Sequence, residues 1–332
     1  MALKQRCDAV FEGGGIRGIG LAGGVYQMER NGYRFGNVAG SSAGAIVASL
    51  VAAGYTGQEI YTELKQMQFL RFKEKHFLDY FGFLGKTLSV LFHFGIYSTN
   101  YFEQWLTELL SRKGVRVFGD LQCSDGYGDC KYKLQVTASD ITNQTLLVLP
   151  GDLSNFGLDP ESFSIAKAVR MSMSIPVFYE PYILKDINGR KHYIVDGGML
   201  SNYPMWILDN GKSEPEYPIF GFRFQETKLC TDICKSRGIN FIEYMKQLAA
   251  TMLDSYDNAY ISESMGDFQR CIQIPVTIEK NGKAMDIRST DFMITKQVSE
   301  MLFQHGVHAT EKFLDNWNFI KWKNEFRAQK NK

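Results

Sequence analysis

Three short stretches of this sequence hold residue types that together could make and break an ester. Gly40-Ser41-Ser42-Ala43-Gly44 fits a sharp strand-to-helix turn that lifts the Ser42 hydroxyl clear of its backbone as a nucleophile. Upstream, Gly13-Gly14-Gly15-Ile16-Arg17-Gly18 follows Cys7 to Glu12, which reads as a short buried strand, so its N–H groups can converge on one anion where a strand hands over to a helix. Downstream, Val195-Asp196-Gly197-Gly198 puts an aspartate at the end of a strand, beside glycines that allow close approach. Taken alone, Asp196-Gly197 is equally an ordinary turn. An anion cradle beside a nucleophile points to acyl transfer, where losing one oxyanion donor typically costs ~2.7 to 4 kcal/mol of barrier.

Two rival readings compete for these residues. Gly13-x-Gly15-x-x-Gly18 also satisfies a dinucleotide fingerprint, which wants an acidic residue after the second strand to hold the ribose. Here the second strand, near Asn37 to Ala39, runs instead into Gly40-Ser41-Ser42. An α/β-hydrolase elbow comes after several strands, whereas Ser42 follows one or two and already has a glycine turn upstream. The serine needs a base, and the five histidines are poorly placed to supply it: His76 and His93 lie in an aromatic region, His305 and His308 in the last helix, and His192 on the strand leading to Asp196. Each reads as structural or surface, and Asp196 is the better candidate. Arg17 could steady the glycine turn, contact a lipid phosphate or ion-pair on the surface, and the structural role is favoured.

The elements that must position these groups alternate along the chain. Helical spacing runs from Gly18 to Asn31, and the small residues Ala43, Gly44, Ala45, Ala48 and Ser49 open a helix over Ala43 to Ala53. Thr56 with Glu59 makes a capping box for a third helix, and Asn100 with Glu103 a similar start. Strands are expected at Leu134 to Ser139, Thr145 to Leu149, Tyr193 to Val195 and Ile219 to Phe224. Asn188-Gly189 and Asn281-Gly282 are hairpin candidates, and a helix spans roughly Thr295 to Trp317. The alternation predicts an α/β fold with a mainly parallel sheet covered on both faces, one domain over residues 6–315, and a basic aromatic tail over 316–332. That tail reads as a docked terminal helix more readily than as a membrane foothold.

The three motifs, in this order, resemble those of patatin-like phospholipases. Between them, Ala168-Val169-Arg170-Met171-Ser172-Met173-Ser174-Ile175-Pro176-Val177-Phe178 is similar to the family's Ser-x-x-x-Pro-x-x-Phe segment, with Tyr179 at the position where the family has phenylalanine, and Asn202-Tyr203-Pro204 matches after the aspartate. The similarity spans roughly residues 8 to 205. It implies a three-layer α/β/α sandwich and a Ser-Asp dyad without histidine, with Ser42 as nucleophile and Asp196 as general base. It also implies oxyanion donors on Gly13, Gly14 and Gly15, with Ala43 N–H in addition, and Arg17 and Gly18 as supports. An ordinary aspartate, near ~3.9, is a feeble base, so burial should raise its pKa. The implied activity is phospholipase A-type hydrolysis of acyl lipids, with no cofactor and no metal. A catalytically silent lipid-binding protein on the same fold is the alternative.

Bulk composition bounds the partners. With 332 residues and 45% hydrophobic content the chain can bury a large core, and its 37 Lys plus Arg nearly balance 36 Asp plus Glu. No overall field favours nucleic acid, so any membrane contact must be local and peripheral. No stretch approaches the ~20 apolar residues of a spanning helix, and the first strand starts almost at Met1, so the expectation is a cytoplasmic protein with reduced thiols. The closest cysteine pairs, Cys123/Cys130 and Cys230/Cys234, lack Cys-x-x-Cys spacing. Residues 69–97 interleave aromatic with basic side chains, which suits either an interfacial lid or a helical subdomain packed into the core.

Overall fold

Strand residues alternate between two buried faces, and this alternation builds the core on both sides of one sheet. The computed structural model describes residues 5–67, 95–97, 99–123, 131–209, 215–226, 251, 266–280, 283–289, 291 and 294–327. The first half runs β1 (Gln5–Phe11), α1 (Gly18–Arg30), β2 (Tyr33–Gly40), α2 (Ala43–Ala52), α3 (Gly57–Gln66), β3 (Gly95–Tyr97), α4 (Asn100–Arg112), β4 (Leu134–Asp140) and β5 (Thr145–Leu149). There follow α5 (Ile165–Ser172), β6 (Val177–Tyr179), β7 (Tyr182–Lys185), β8 (Lys191–Asp196), β9 (Ile219–Gln225), β10 (Cys271–Pro275), β11 (Thr277–Lys280), β12 (Lys283–Asp286), α6 (Lys296–Leu314) and α7 (Phe319–Phe326). The capping box expected at Thr56 and Glu59 starts α3, and Thr295 caps α6.

The main sheet has the order β10-β9-β1-β2-β4-β8-β7, parallel from β10 to β4 and antiparallel beyond. A mainly parallel sheet with flanking helices is the α/β sandwich expected. On one face Ala9, Phe11, Val38, Phe220, Phe222, Ile272 and Ile274 join the large core with the apolar side of α1, and Phe11 stacks on Phe222 at 5.0 Å. On the other, Val10, Ala39, Ile219 and Cys271 lie under Tyr203 and Met205.

β4 sets the distance between the two ends that matter. Val136 pairs with both Gly40 and Leu149, and Ala138 with both Asp196 and Leu147. A strand residue has two edges, so β2 and β8 share the edge opposite β5 and meet head-on. The end of β2 is thereby two residues, about 7 Å, from the end of β8.

Several expectations are refined. The second strand extends back to Tyr33, because Phe35 packs into the large core. The Asn188-Gly189 turn joins β7 to β8, with Gly189 at φ +79°. β11 and β12 form an antiparallel pair around the other proposed turn, though Asn281-Gly282 itself lies outside the described residues, as do 68–94, with most of the aromatic-basic stretch, His76 and His93. Cys130, Cys230 and Cys234 also lie outside them; Cys7 and Cys271 are free thiols, and the Cys123 thiol donates to Asn37 Oδ1 at 3.1 Å. In the tail, α7 buries Trp322, whose Nε1–H donates to the Gly266 carbonyl at 2.9 Å. The guanidinium groups of Arg270 and Arg327 lie 5.1 and 5.2 Å from its ring centre, and both pair with Asp209.

Candidate active site

Parallel neighbours β1 and β2 end level with one another, Phe11 opposite Gly40, so the glycine turn and the serine turn leave the sheet side by side at its carboxyl end. Ser42 takes φ +50° and ψ −121°, a left-handed conformation that side chains adopt only when held, and α2 begins at the next residue. The turn is tight because Gly44 runs against β1: a Cβ there would lie 2.1 Å from the Phe11 carbonyl oxygen.

The Ser42 hydroxyl donates to Asp196 Oδ2 at 2.7 Å across 154 residues of sequence. Asp196 is fully buried at the end of β8, and its second oxygen accepts the Gly198 N–H at 2.8 Å. Burial pushes the Asp196 pKa up to about 7, against the lowering influence of the Ser42 and Gly198 donors. That value suits a group that must take and return a proton near neutrality.

The glycine turn is braced from three directions. Gly13 and Asn202 bond reciprocally: the Gly13 N–H donates to the Asn202 carbonyl at 3.0 Å, and Asn202 Nδ2 donates to the Gly13 carbonyl at 3.1 Å. The Ile16 N–H donates to the Ser289 carbonyl at 3.2 Å, beside Gly15 at φ +55°. Arg17 is buried, with Nε donating to the Ile287 carbonyl at 2.7 Å and Nη1 2.7 Å from Glu226. These contacts fit the structural role favoured for it. Gly18 lies with Ser42 and Ala43 in the wall of an apolar slot, which continues over Ile46, Leu64, Phe102 and Met173. Among the described residues, the N–H groups of Gly14, Gly15 and Ala43 have no acceptor, whereas the Gly13 N–H is committed to Asn202.

The structure thus brings Ser42, Asp196 and the glycine turn together and leaves the described histidines elsewhere. His192 Nδ1 is 2.8 Å from Asp140 Oδ2, on the part of β8 remote from Asp196, and His305 Nδ1 is 2.9 Å from the Pro275 carbonyl. Sequence reasoning missed Ser172, whose hydroxyl accepts the Ser42 N–H at 2.8 Å. A signal existed: Ser164 caps α5 through the Lys167 N–H, and Ile165, Ala168, Val169 and Ser172 follow at helical spacing.

A serine raised on a strand-to-helix turn at the carboxyl end of a parallel sheet, facing a buried acid, places the protein in the class of α/β proteins built like hydrolases. The family model described as patatin-like phospholipase matches residues 9–209, and the chain belongs to that family, whose members are lipid hydrolases. It is 38% identical over 316 residues to the "Uncharacterized protein YqhO" of Bacillus subtilis strain 168, covering 94% of this chain and 99% of the relative. Likeness to the "Uncharacterized protein R571" of Acanthamoeba polyphaga mimivirus is 23% over 317 residues, 93% of this chain and 94% of that one. Among solved structures, the type III effector ExoU superimposes with a TM-score of 0.52 at 14% identity, covering 97% of this chain and 54% of ExoU. The ExoU–SpcU complex of Pseudomonas aeruginosa gives 0.50 at 16% identity, over 94% of this chain and 52% of that one. At these identities the likeness concerns the fold, and the chain spans about half of ExoU.

Proposed function

We propose that the protein is a phospholipase A-type acyl hydrolase in which Ser42 and Asp196 act as a dyad. The observation that carries this reading is the 2.7 Å hydrogen bond from the Ser42 hydroxyl to a fully buried carboxylate, with no histidine bonded to either partner among the described residues. In the first half-reaction Ser42 Oγ bonds to the acyl carbonyl carbon while its proton passes to Asp196 Oδ2. The ester bond then breaks, and the departing lysophospholipid oxygen takes that proton. In the second half-reaction a water, deprotonated by Asp196, attacks the acyl-enzyme, and the fatty acid leaves as Ser42 regains a proton. Negative charge on the carbonyl oxygen meets the N–H groups of Gly14, Gly15 and Ala43, while Gly13 holds the turn to Asn202. The apolar slot beside Ser42 receives the acyl chain, and lipid is taken up through peripheral contact with a membrane surface.

The reading is tested by incubating the protein with phosphatidylcholine vesicles and following fatty acid and lysophospholipid by mass spectrometry. Product from the wild type, with loss of at least about 1,000-fold in Ser42→Ala and Asp196→Asn, is the expected outcome. Undiminished hydrolysis by Ser42→Ala rejects it. Binding of vesicles without turnover by the wild type favours the silent lipid-binding alternative.

A further inference from the structure

We infer that the four residues Ser172–Ile175 form a clip that positions the nucleophile and its base, with Ser172 as the positioning residue for Ser42. This rests on the proposed role of Ser42. Ser172 is the last residue of α5 and is fully buried, and its hydroxyl oxygen accepts the backbone N–H of Ser42 at 2.8 Å across 130 residues of sequence. Two residues on, the Ser174 carbonyl accepts the backbone N–H of Asp196 at 3.0 Å. The intervening Met173 and the following Ile175 wall the apolar slot beside Ser42. One short stretch therefore grips the main chain on both sides of the 2.7 Å hydrogen bond and lines the space where the acyl chain would lie.

The stretch is itself well held. The Ser174 hydroxyl donates to the Arg170 carbonyl at 2.8 Å and closes the end of α5, and Arg170 Nη1 lies 2.8 Å from Glu103 on α4. A rigid mount is what the Ser42 conformation requires. Ser42 caps the start of α2, so its N–H has no acceptor within the helix, and without Ser172 it would be a buried donor with nothing to bond. The turn would relax toward an ordinary conformation and swing the hydroxyl off the Asp196 oxygen. Because the Ser42 N–H is engaged in this way, it does not serve the oxyanion, which leaves that role to the other N–H groups of the site.

The test compares wild type, Ser42→Ala, Ser172→Ala and Ser172→Thr on a soluble p-nitrophenyl ester, with the rate of fluorophosphonate labelling and the melting temperature of each. Ser172→Ala should lose about 10- to 100-fold in kcat and in labelling rate with KM within about twofold, since displacing a reacting group by about 1 Å has an effect of that size. Ser172→Thr, which keeps the oxygen, should recover most of the loss. Amide hydrogen exchange on the wild type gives a measurement that needs no variant: the Ser42 and Asp196 N–H groups should be protected as strongly as those of β2. A folded Ser172→Ala with wild-type kcat, or a Ser42 amide exchanging as fast as an open turn, overturns the clip. Equal activity in wild type and Ser42→Ala would instead defeat the role of Ser42, so the two failures are distinct.

Discussion

Arg17 Nε donates to the carbonyl oxygen of Ile287 at 2.7 Å, joining residues 270 positions apart. The same side chain reaches Glu226, so two segments beyond the family match at 9–209 brace the glycine turn near the start of the chain. Both acceptors are met by the planar fork of an arginine, which a lysine cannot reproduce.

Replacing Arg17 by alanine is therefore expected to lower kcat by about tenfold or more and to lower the melting temperature, and Arg17→Lys should restore only part of each. Steady-state kinetics beside thermal denaturation check this. Full recovery by lysine would mean that charge alone matters.

Gly15 offers a sharper contrast. It has φ +55°, and a Cβ on it would lie 2.0 Å from the Ser289 carbonyl oxygen, so Gly15→Ala must displace the 287–289 segment and the turn it clamps. Activity should fall by more than about 100-fold. Gly32, at φ +83° but facing open space, is the control. Gly32→Ala should cost only the left-handed backbone penalty, about 1 to 2 kcal/mol, and leave turnover intact, as urea unfolding and ester hydrolysis will show.

Asp196 links activity and stability to pH. In its proposed role as base it must be ionised, so kcat/KM should rise with pH through about 7. Between an unfolded value of ~3.9 and the folded value, the native chain holds a proton that the unfolded chain has lost, so this group makes stability fall as pH rises across that interval. Asp196→Asn removes the effect. Its melting temperature should exceed that of the wild type by a margin that grows from pH 5 to pH 8, and a constant difference across that range would contradict the assignment.

His192 provides the complementary check. Its Nδ1 pairs with the buried Asp140, so His192→Gln should cost stability, on the order of 1 to 3 kcal/mol. The rising limb of the pH profile and fluorophosphonate labelling should persist. Loss of labelling in a folded His192→Gln protein would show that a histidine takes part after all.

Much of the site was legible before any coordinates, because its parts are local. A glycine run after an apolar strand, a serine between small residues and an aspartate before Gly197-Gly198 are backbone requirements that only a few residue types satisfy, and residue type is what a sequence displays. The capping box at Thr56 and Glu59 and the hairpin at Asn188-Gly189 were readable for the same reason. Helix α5 was not separated from the motif around it, since its eight residues are short and run into Pro176.

The amino-acid order by itself determined which groups could react and at which strand ends they stand. Only the tertiary structure decided that Ser42 meets Asp196, that the Gly13 N–H belongs to Asn202 while the Ser42 N–H belongs to Ser172, and that Ile287 and Ser289 close over the turn. The reason is physical: every one of these pairings joins residues more than a hundred positions apart, and most have on at least one side a backbone group, which every residue carries alike. Which of them meet depends on where β4 aligns two strands arriving from opposite directions, and that alignment is settled by the packing of the whole sheet.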